Sequence, residues 1–231
     1  NSEFAVSDVF DDEQGNIRFS KTDHTWKDGK CIFCGASQSE LGRDSSYESH
    51  AYEFIHTHTP EKIFDMKFDV IIGNPPYQLS DGGAGASAMP IYQKFIQQSM
   101  KLNPRYISMI IPSRWFAGGR GLDSFRKEMI EDTRLRKIFD FPKSRECFAG
   151  VDIAGGVCFF LWERDYDGQC EFSSSENGKV VTSSRFLNEF DVLVRDNIGL
   201  NVIRKTLAVD KEMVSTIASK VSPYGIRSFV R

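Results

Sequence analysis

The strongest constraint on the fold lies at residues 68–77. Phe68-Asp69-Val70-Ile71-Ile72 is apolar at all but one position and is closed at once by Gly73-Asn74-Pro75-Pro76-Tyr77. A short run that is apolar on both side-chain faces and stopped by Gly and Pro reads as a strand buried on both sides, as in a parallel sheet. The prolines lack N–H donors and cannot extend a ladder, so Asn74 falls at the carboxyl end of a central strand. Ligands of open α/β sheets bind at such ends. The bare tetrapeptide is made of turn-competent residues and on its own reads equally well as a tight turn; its place behind the strand argues for a site.

The segments that follow repeat the same grammar. After a glycine-rich loop at 81–88, Ile91, Phe95, Ile96 and Met100 recur at helical spacing, and Tyr106 to Ile111 reads as a second buried strand stopped by Pro112. A helix is expected over about 122–132, then strands at 138–141 and 156–162. The alternation predicts a doubly wound α/β sheet. Phe4 to Val9 reads as a short opening strand with no helix before it, which suggests a fragment. Beyond Phe186 the pattern changes to a helical stretch at 192–206 and a tail, Ser222-Pro223-Tyr224-Gly225, without a closing element.

Residues 22–59 lose periodicity and collect Cys31, Cys34 and all four histidines, His24, His50, His56 and His58. Cys31-Ile32-Phe33-Cys34-Gly35 has the two-residue spacing that lets two thiolates reach one tetrahedral ion. His24 with His50 or His56 would complete four ligands, and the set expected is His24, Cys31, Cys34 and His50. Such zinc would be structural, because these residues are separate in sequence from Asn74. The bland alternative is two reduced thiols at a turn with histidines on a solvated helix face.

Composition narrows the classes further. The five cysteines are an odd number with one close pair, which is no secreted disulfide framework. There is no stretch of roughly 18 apolar residues to cross a membrane and no signal-like start, so the cytoplasm is the default compartment. The net charge of -3 neither requires nor forbids a nucleic-acid partner, but Arg120, Arg126, Lys127, Arg134, Arg136, Lys137, Lys143 and Arg145 concentrate cations in one stretch.

The chemistry offered by Asn74 to Tyr77 is specific. The lone pair of an aromatic amine is delocalised into its ring, so the nitrogen is a poor nucleophile until its two hydrogens are held. The Asn74 carboxamide oxygen and the Pro75 carbonyl are two rigid acceptors that favour a pyramidal nitrogen. Pro75 and Pro76 fix the loop, and Tyr77 offers a face on which an extruded base can stack.

With these residues in hand, the sequence resembles the S-adenosylmethionine-dependent amino-methyltransferases, and within them the gamma-class adenine enzymes of the Eco57I-like restriction-modification group. Phe68 to Tyr77 is similar to their catalytic motif. Tyr106 to Trp115 resembles the later strand that ends in a proline-serine-aromatic turn. Cys147-Phe148 followed by 151–162 resembles the segment whose aromatic residue contacts the second face of the flipped base, which implies Phe148; its other reading is a core phenylalanine. Val6 to Phe10 resembles the strand end whose acidic residue contacts the cofactor adenine, which implies Asp8, although an aspartate there also serves as a turn former.

The resemblance implies an α/β fold: a partial Rossmann-like methyltransferase sheet at 1–21 and 60–185, a Cys/His insertion at 22–59, and the truncated start of a target-recognition domain at 186–231. It implies S-adenosylmethionine as cofactor, held by Asp8 and Asn74, and double-stranded DNA with a flipped adenine as partner, beside the rest of a restriction-modification polypeptide. The glycine-rich cofactor loop and the ribose-gripping acid are expected to precede residue 1, and the loop at 81–88 is expected to lie near DNA. Competing readings are methylation of a protein glutamine or an RNA base, and a catalytically silent DNA-recognition or scaffolding module.

Overall fold

A computed structural model describes residues 24–35, 38, 51–64, 66–78, 89–176 and 178–209. The chain divides into two compact units, Asn1–Leu193 and Val194–Arg231. The first is built on a six-stranded sheet in the order β3-β4-β6-β5-β7-β8, where β3 is Val70–Gly73, β4 Tyr106–Pro112, β5 Leu135–Phe141, β6 Val157–Glu163, β7 Cys170–Glu176 and β8 Lys179–Arg185. A separate hairpin, β1 (Trp26–Lys27) and β2 (Lys30–Cys31), belongs to the Cys/His segment. The helices are α1 (Ala51–Ile55), α2 (Tyr92–Lys101) and α3 (Asp123–Glu131).

The fold is α/β, as the alternation predicts, but the sheet is mixed. Strands β3 and β4 pair in parallel, as do β5 and β7, whereas β6 runs antiparallel to both β4 and β5. The reason is the connection. Helix α3 carries the chain over from β4 to β5 in the same direction, but the link from β5 to β6 holds only a short 3-10 turn, Ser144–Glu146, so the chain returns antiparallel into the gap. Strands β7 and β8 form a further hairpin that the apolar pattern does not announce.

One face of the sheet is closed. Ile107, Met109, Ile111, Ile138, Phe160 and Trp162 project onto it alternately from β4, β5 and β6 and bury against Phe125 and Met129 of α3 and Tyr92 and Ile96 of α2. Each such side chain contributes roughly 1.5–3 kcal/mol by leaving water. Helix α2 ends where Asn103 takes a left-handed φ of 51° and Pro104 follows, a combination that cannot continue a helix. Helix α3 begins with Asp123 in its first turn, where a negative charge complements the exposed N–H groups.

Strand β3 departs from expectation. Among the described residues it has β4 as its one neighbour, and Val70 and Ile72 are 49% and 79% exposed while Ile71 packs on the core. Its two-faced apolar pattern signals cover on both sides, and the described residues supply cover on one. Of the second unit, the described part contains helix α4, Asn197–Val209, which begins five residues later than the sequence pattern because Asp196 Oδ1 accepts the Ile198 N–H at 2.8 Å and caps it. Among the described residues no helix is long and apolar enough to cross a membrane.

Candidate functional site

The tetrapeptide Asn74-Pro75-Pro76-Tyr77 leaves the carboxyl end of β3 directly after Gly73, which pairs with Met109 of β4. Its far end is pinned. The Tyr77 carbonyl accepts the Ile91 N–H at 3.2 Å, and Gln78 bridges Pro90. Pro75 is buried and Asn74 exposed. Among the described residues nothing hydrogen-bonds the Asn74 carboxamide or the Pro75 carbonyl, so both acceptors are available to a ligand.

The loop is a wall shared by two clefts. One, of about 460 Å³, is apolar and lies between β3 and α2, with Phe64, Phe68, Ser99 and Met109 in its lining. The other, of about 790 Å³, brings the tetrapeptide together with Tyr92, Arg114, Arg120 and Ile153. Asn74, Pro75 and Pro76 line both. Tyr77 lines the second alone, its ring half-exposed and its hydroxyl buried without a hydrogen-bond partner among the described residues. Burial, helped by the neighbouring Cys147 and Cys158 thiols, pushes that phenol up to about 12, so it stays neutral.

The second cleft is framed by tightly tied turns. Ser113 Oγ donates to Asp140 Oδ1 at 2.6 Å, with both residues buried, and the Ser113 N–H donates to the Gly156 carbonyl at 3.0 Å. These bonds fix the turn Ser113–Phe116 to β5 and to the start of β6. Gly156 has φ +82°, and a Cβ there would stand 2.2 Å from the Phe141 carbonyl oxygen, so only glycine fits. Ser113 is the serine of the proline-serine-aromatic turn that the sequence suggests, but its partner Asp140 is not anticipated there. An acid inside the apolar stretch Ile138 to Phe141 is the signal that points to it.

Phe148 sits half-buried in the turn after β5, its N–H donating to the Ser144 carbonyl at 2.8 Å, and it is not in the lining of the cleft that holds Tyr77. Its sequence neighbour Cys147 is, with Cys158, one of the thiols whose charge influences the Tyr77 phenol. Asp8, the loop at 81–88, the tail at 222–225 and His50 lie outside the described residues.

The Cys/His segment condenses into one cluster. His24, Cys31, Cys34 and His56 bring one ligand atom each to within 4.8 Å of one another. The hairpin turns on Asp28 and Gly29, both at positive φ, which matches the twist of its strands. Gly35, at φ +78°, closes the knuckle by donating its N–H to the Cys31 carbonyl at 2.9 Å. Burial raises the Cys31 thiol, but the Cys34 main chain, the His24 ring and the Phe33 main chain outweigh it and bring the thiol down to about 7. The fourth member of the cluster among the described residues is His56, the alternative that the spacing leaves open beside His50: α1 ends at Ile55, and His56 Nε2 stands 3.1 Å from His24 Nδ1.

The chain is 32% identical over 218 residues to an uncharacterized adenine-specific methylase of Mycoplasma pneumoniae, an alignment covering 87% of this chain and 52% of that protein; the chain thus spans about half the length of this curated relative. Among solved structures, it resembles the type IIG restriction endonuclease BpuSI at 14% identity and TM-score 0.41, covering 61% of this chain and 22% of that one. It also resembles the methyltransferase subunit of a type I restriction-modification system from Streptococcus thermophilus at 13% identity and TM-score 0.36, over 64% of this chain and 33% of that one. The family model of the Eco57I restriction-modification methylase matches residues 3–148, more than half of the chain and the whole of the Asn74–Tyr77 loop, and the chain belongs to that family.

Proposed function

We propose that this chain carries the target-base half of an adenine-specific DNA methyltransferase within a restriction-modification enzyme. The observation that carries the reading is the pair of unengaged acceptors, Asn74 Oδ1 and the Pro75 carbonyl, on a proline-stiffened wall between two clefts. An adenine flipped out of duplex DNA enters the larger cleft, and its exocyclic amine gives one hydrogen to each acceptor. The nitrogen lone pair is then freed from the ring and directed across the wall. Tyr77 supplies one stacking face, and Phe148, next to Cys147, is proposed for the other.

S-adenosylmethionine supplies an electrophilic methyl on a sulfonium. The smaller cleft fits such a donor: its volume of about 460 Å³ suits a nucleoside-sized ligand, Phe64 and Phe68 offer aromatic faces to a cation, and the Ser99 hydroxyl in its lining is buried without a partner among the described residues. Asn74 and the strand-end Asp8 are the proposed polar contacts. The His24, Cys31, Cys34 and His56 cluster is proposed to hold a structural zinc ion, and residues from about 186 onward to begin the part that reads the DNA sequence.

The test is transfer of a labelled methyl to DNA adenine by the protein and by Asn74→Ala. Loss of one such preorganised hydrogen-bonding group lowers turnover by about 10²–10³-fold; adenine methylation at the parental rate in Asn74→Ala would refute the mechanism. Elemental analysis of chelator-free protein tests the metal, and less than about a tenth of an equivalent of zinc rules it out, since a structural site of this class is filled one ion per chain.

A further inference from the structure

The cations of this unit are not alike. Arg126 is paired with Asp123, Arg134 with Asp132, Arg136 with Glu163, Arg145 with Asp152 and Arg164 with Asp165. Arg114 and Arg120 have no acidic partner among the described residues, both are exposed, and both line the cleft that holds Asn74 and Tyr77. The one carboxylate in that lining, Asp152, is engaged by Arg145 at 2.9 Å.

The segment that presents Arg120 is built for that purpose. Gly118, Gly119, Arg120 and Gly121 all have positive φ, at 75°, 78°, 51° and 80°. A non-glycine residue held left-handed inside such a turn stores strain that the surroundings must impose. Arg126 braces the start of the turn: its Nη1 donates to the Ala117 carbonyl at 2.7 Å and to Asp123 Oδ1 at 3.0 Å, filling the space where a Gly118 Cβ would lie. Asp123 Oδ1 also accepts the Gly119 N–H at 3.2 Å. Arg114 is held independently, in the turn that Ser113 ties to Asp140 and Gly156.

We propose that Arg114 and Arg120 form a phosphate clamp that grips the phosphodiesters flanking the extruded nucleotide at the mouth of the base cleft. The proposal rests on the reading of that cleft as the seat of a flipped base. Two guanidiniums on rigid turns fit phosphate oxygens, which accept paired N–H donors and carry the charge that these arginines lack nearby. Extruding a base swings its own backbone, and cations fixed at the cleft mouth hold the backbone in the swung position.

The experiment measures binding of the full chain to a short duplex with an adenine opposite an abasic site, where extrusion is easy, across a series of salt concentrations. Each phosphate contact removed lowers the slope of log K against log salt by about 0.9. Arg114→Gln and Arg120→Gln should each lower the slope by about that amount, while Arg114→Lys and Arg120→Lys restore most of it. Arg136→Gln, at the Glu163 end of the sheet, should leave the slope unchanged. Parental slopes in both glutamine variants, in a chain that still binds and methylates DNA, overturn the clamp alone. Absence of salt-dependent DNA binding by the parental chain overturns the clamp and the methyltransferase reading together.

Discussion

The N–H of Ile91 that bonds the Tyr77 carbonyl at 3.2 Å belongs to a residue whose side chain is fully buried against Cys31, Cys34, Ile55 and Phe95. The Cys/His cluster, the start of α2 and the end of the Asn74–Tyr77 loop are therefore one mechanical series. Gln98 strengthens it from below, its Nε2 donating to the Phe54 and Thr57 carbonyls at 2.7 and 2.8 Å and so holding the end of α1. If the cluster holds the proposed zinc, its removal should then loosen the loop as well as the knuckle. We expect chelation, or Cys31→Ser, to lower the melting temperature by about 2–8 °C for a loss of 1–2 kcal/mol, and to speed amide exchange in the peptide spanning residues 89–101. Metal-free protein with unaltered exchange there would break the proposed link.

Tyr77 separates stacking from hydrogen bonding. Its hydroxyl is buried without a partner among the described residues, so removing it relieves an unmet polar group and leaves the ring in place. Tyr77→Phe should match the parent in stability or exceed it by about 1 kcal/mol, with methyl transfer retained. Tyr77→Ala removes the aromatic face and should weaken kcat/KM on DNA by about 5–150-fold, the equivalent of 1–3 kcal/mol of stacking. Thermal denaturation and initial rates on the two variants check both halves, and a Tyr77→Phe variant as impaired as Tyr77→Ala would show that the hydroxyl has a partner in the complex.

Much of this site is legible in the sequence because its signals are local. Gly73 to Tyr77 follows an apolar strand, and Cys31-x-x-Cys34-Gly35 has metal spacing, so the loop and the two thiolates can be read residue by residue. What sequence conceals depends on partners far along the chain. Arg114 and Arg120 look like any other basic residues until the carboxylates of Asp123, Asp132, Glu163, Asp152 and Asp165 are seen to engage Arg126, Arg134, Arg136, Arg145 and Arg164. His56 and His50 are open alternatives on paper, and among the described residues it is His56, directly after the end of α1, that stands with His24, Cys31 and Cys34. The β7–β8 hairpin escapes notice because Ser173 and Thr182 face each other with a 2.8 Å hydrogen bond where apolar residues would have given alternation. Only the Asn177-Gly178 dipeptide marks it.

Asp132 gives the fold a defined acid sensitivity. Burial works against its charge, but the Arg134 guanidinium and the Trp162 indole N–H, both bonded to it at 2.8–2.9 Å, prevail and hold the carboxyl below its ordinary 3.8. A carboxylate depressed by folding stabilises the native state above its unfolded value and loses that contribution as pH falls through the folded value. Asp132→Asn should therefore be less stable than the parent by about 1–2 kcal/mol at neutral pH, with the gap closing as the pH drops below 3.8. Urea unfolding at pH 7, 5 and 3 measures the gap; a gap that widens toward pH 3 would contradict this account.

The bond from Ser113 to Asp140 should be the most sensitive polar contact near the cleft, because neither partner has water to fall back on. Both side chains are buried, with Asp140 at 0% exposure, so Ser113→Ala strips one partner from an acid in a low-dielectric setting. The expected loss is about 1–3 kcal/mol. Ser173→Ala, whose bond to Thr182 is only part-buried, should lose less. A double-mutant cycle with Asp140→Asn isolates the pair, and residues in direct contact of this kind couple by about 0.5–3 kcal/mol. The same cycle read in KM for DNA reports on Arg114, which the bond positions: an increase in KM with little change in kcat is expected for a residue that grips the backbone and stays out of the methyl transfer. Zero coupling in stability would mean that the turn is held by the Gly156 carbonyl alone, and a fall in kcat at constant KM would place Arg114 at the reacting atoms.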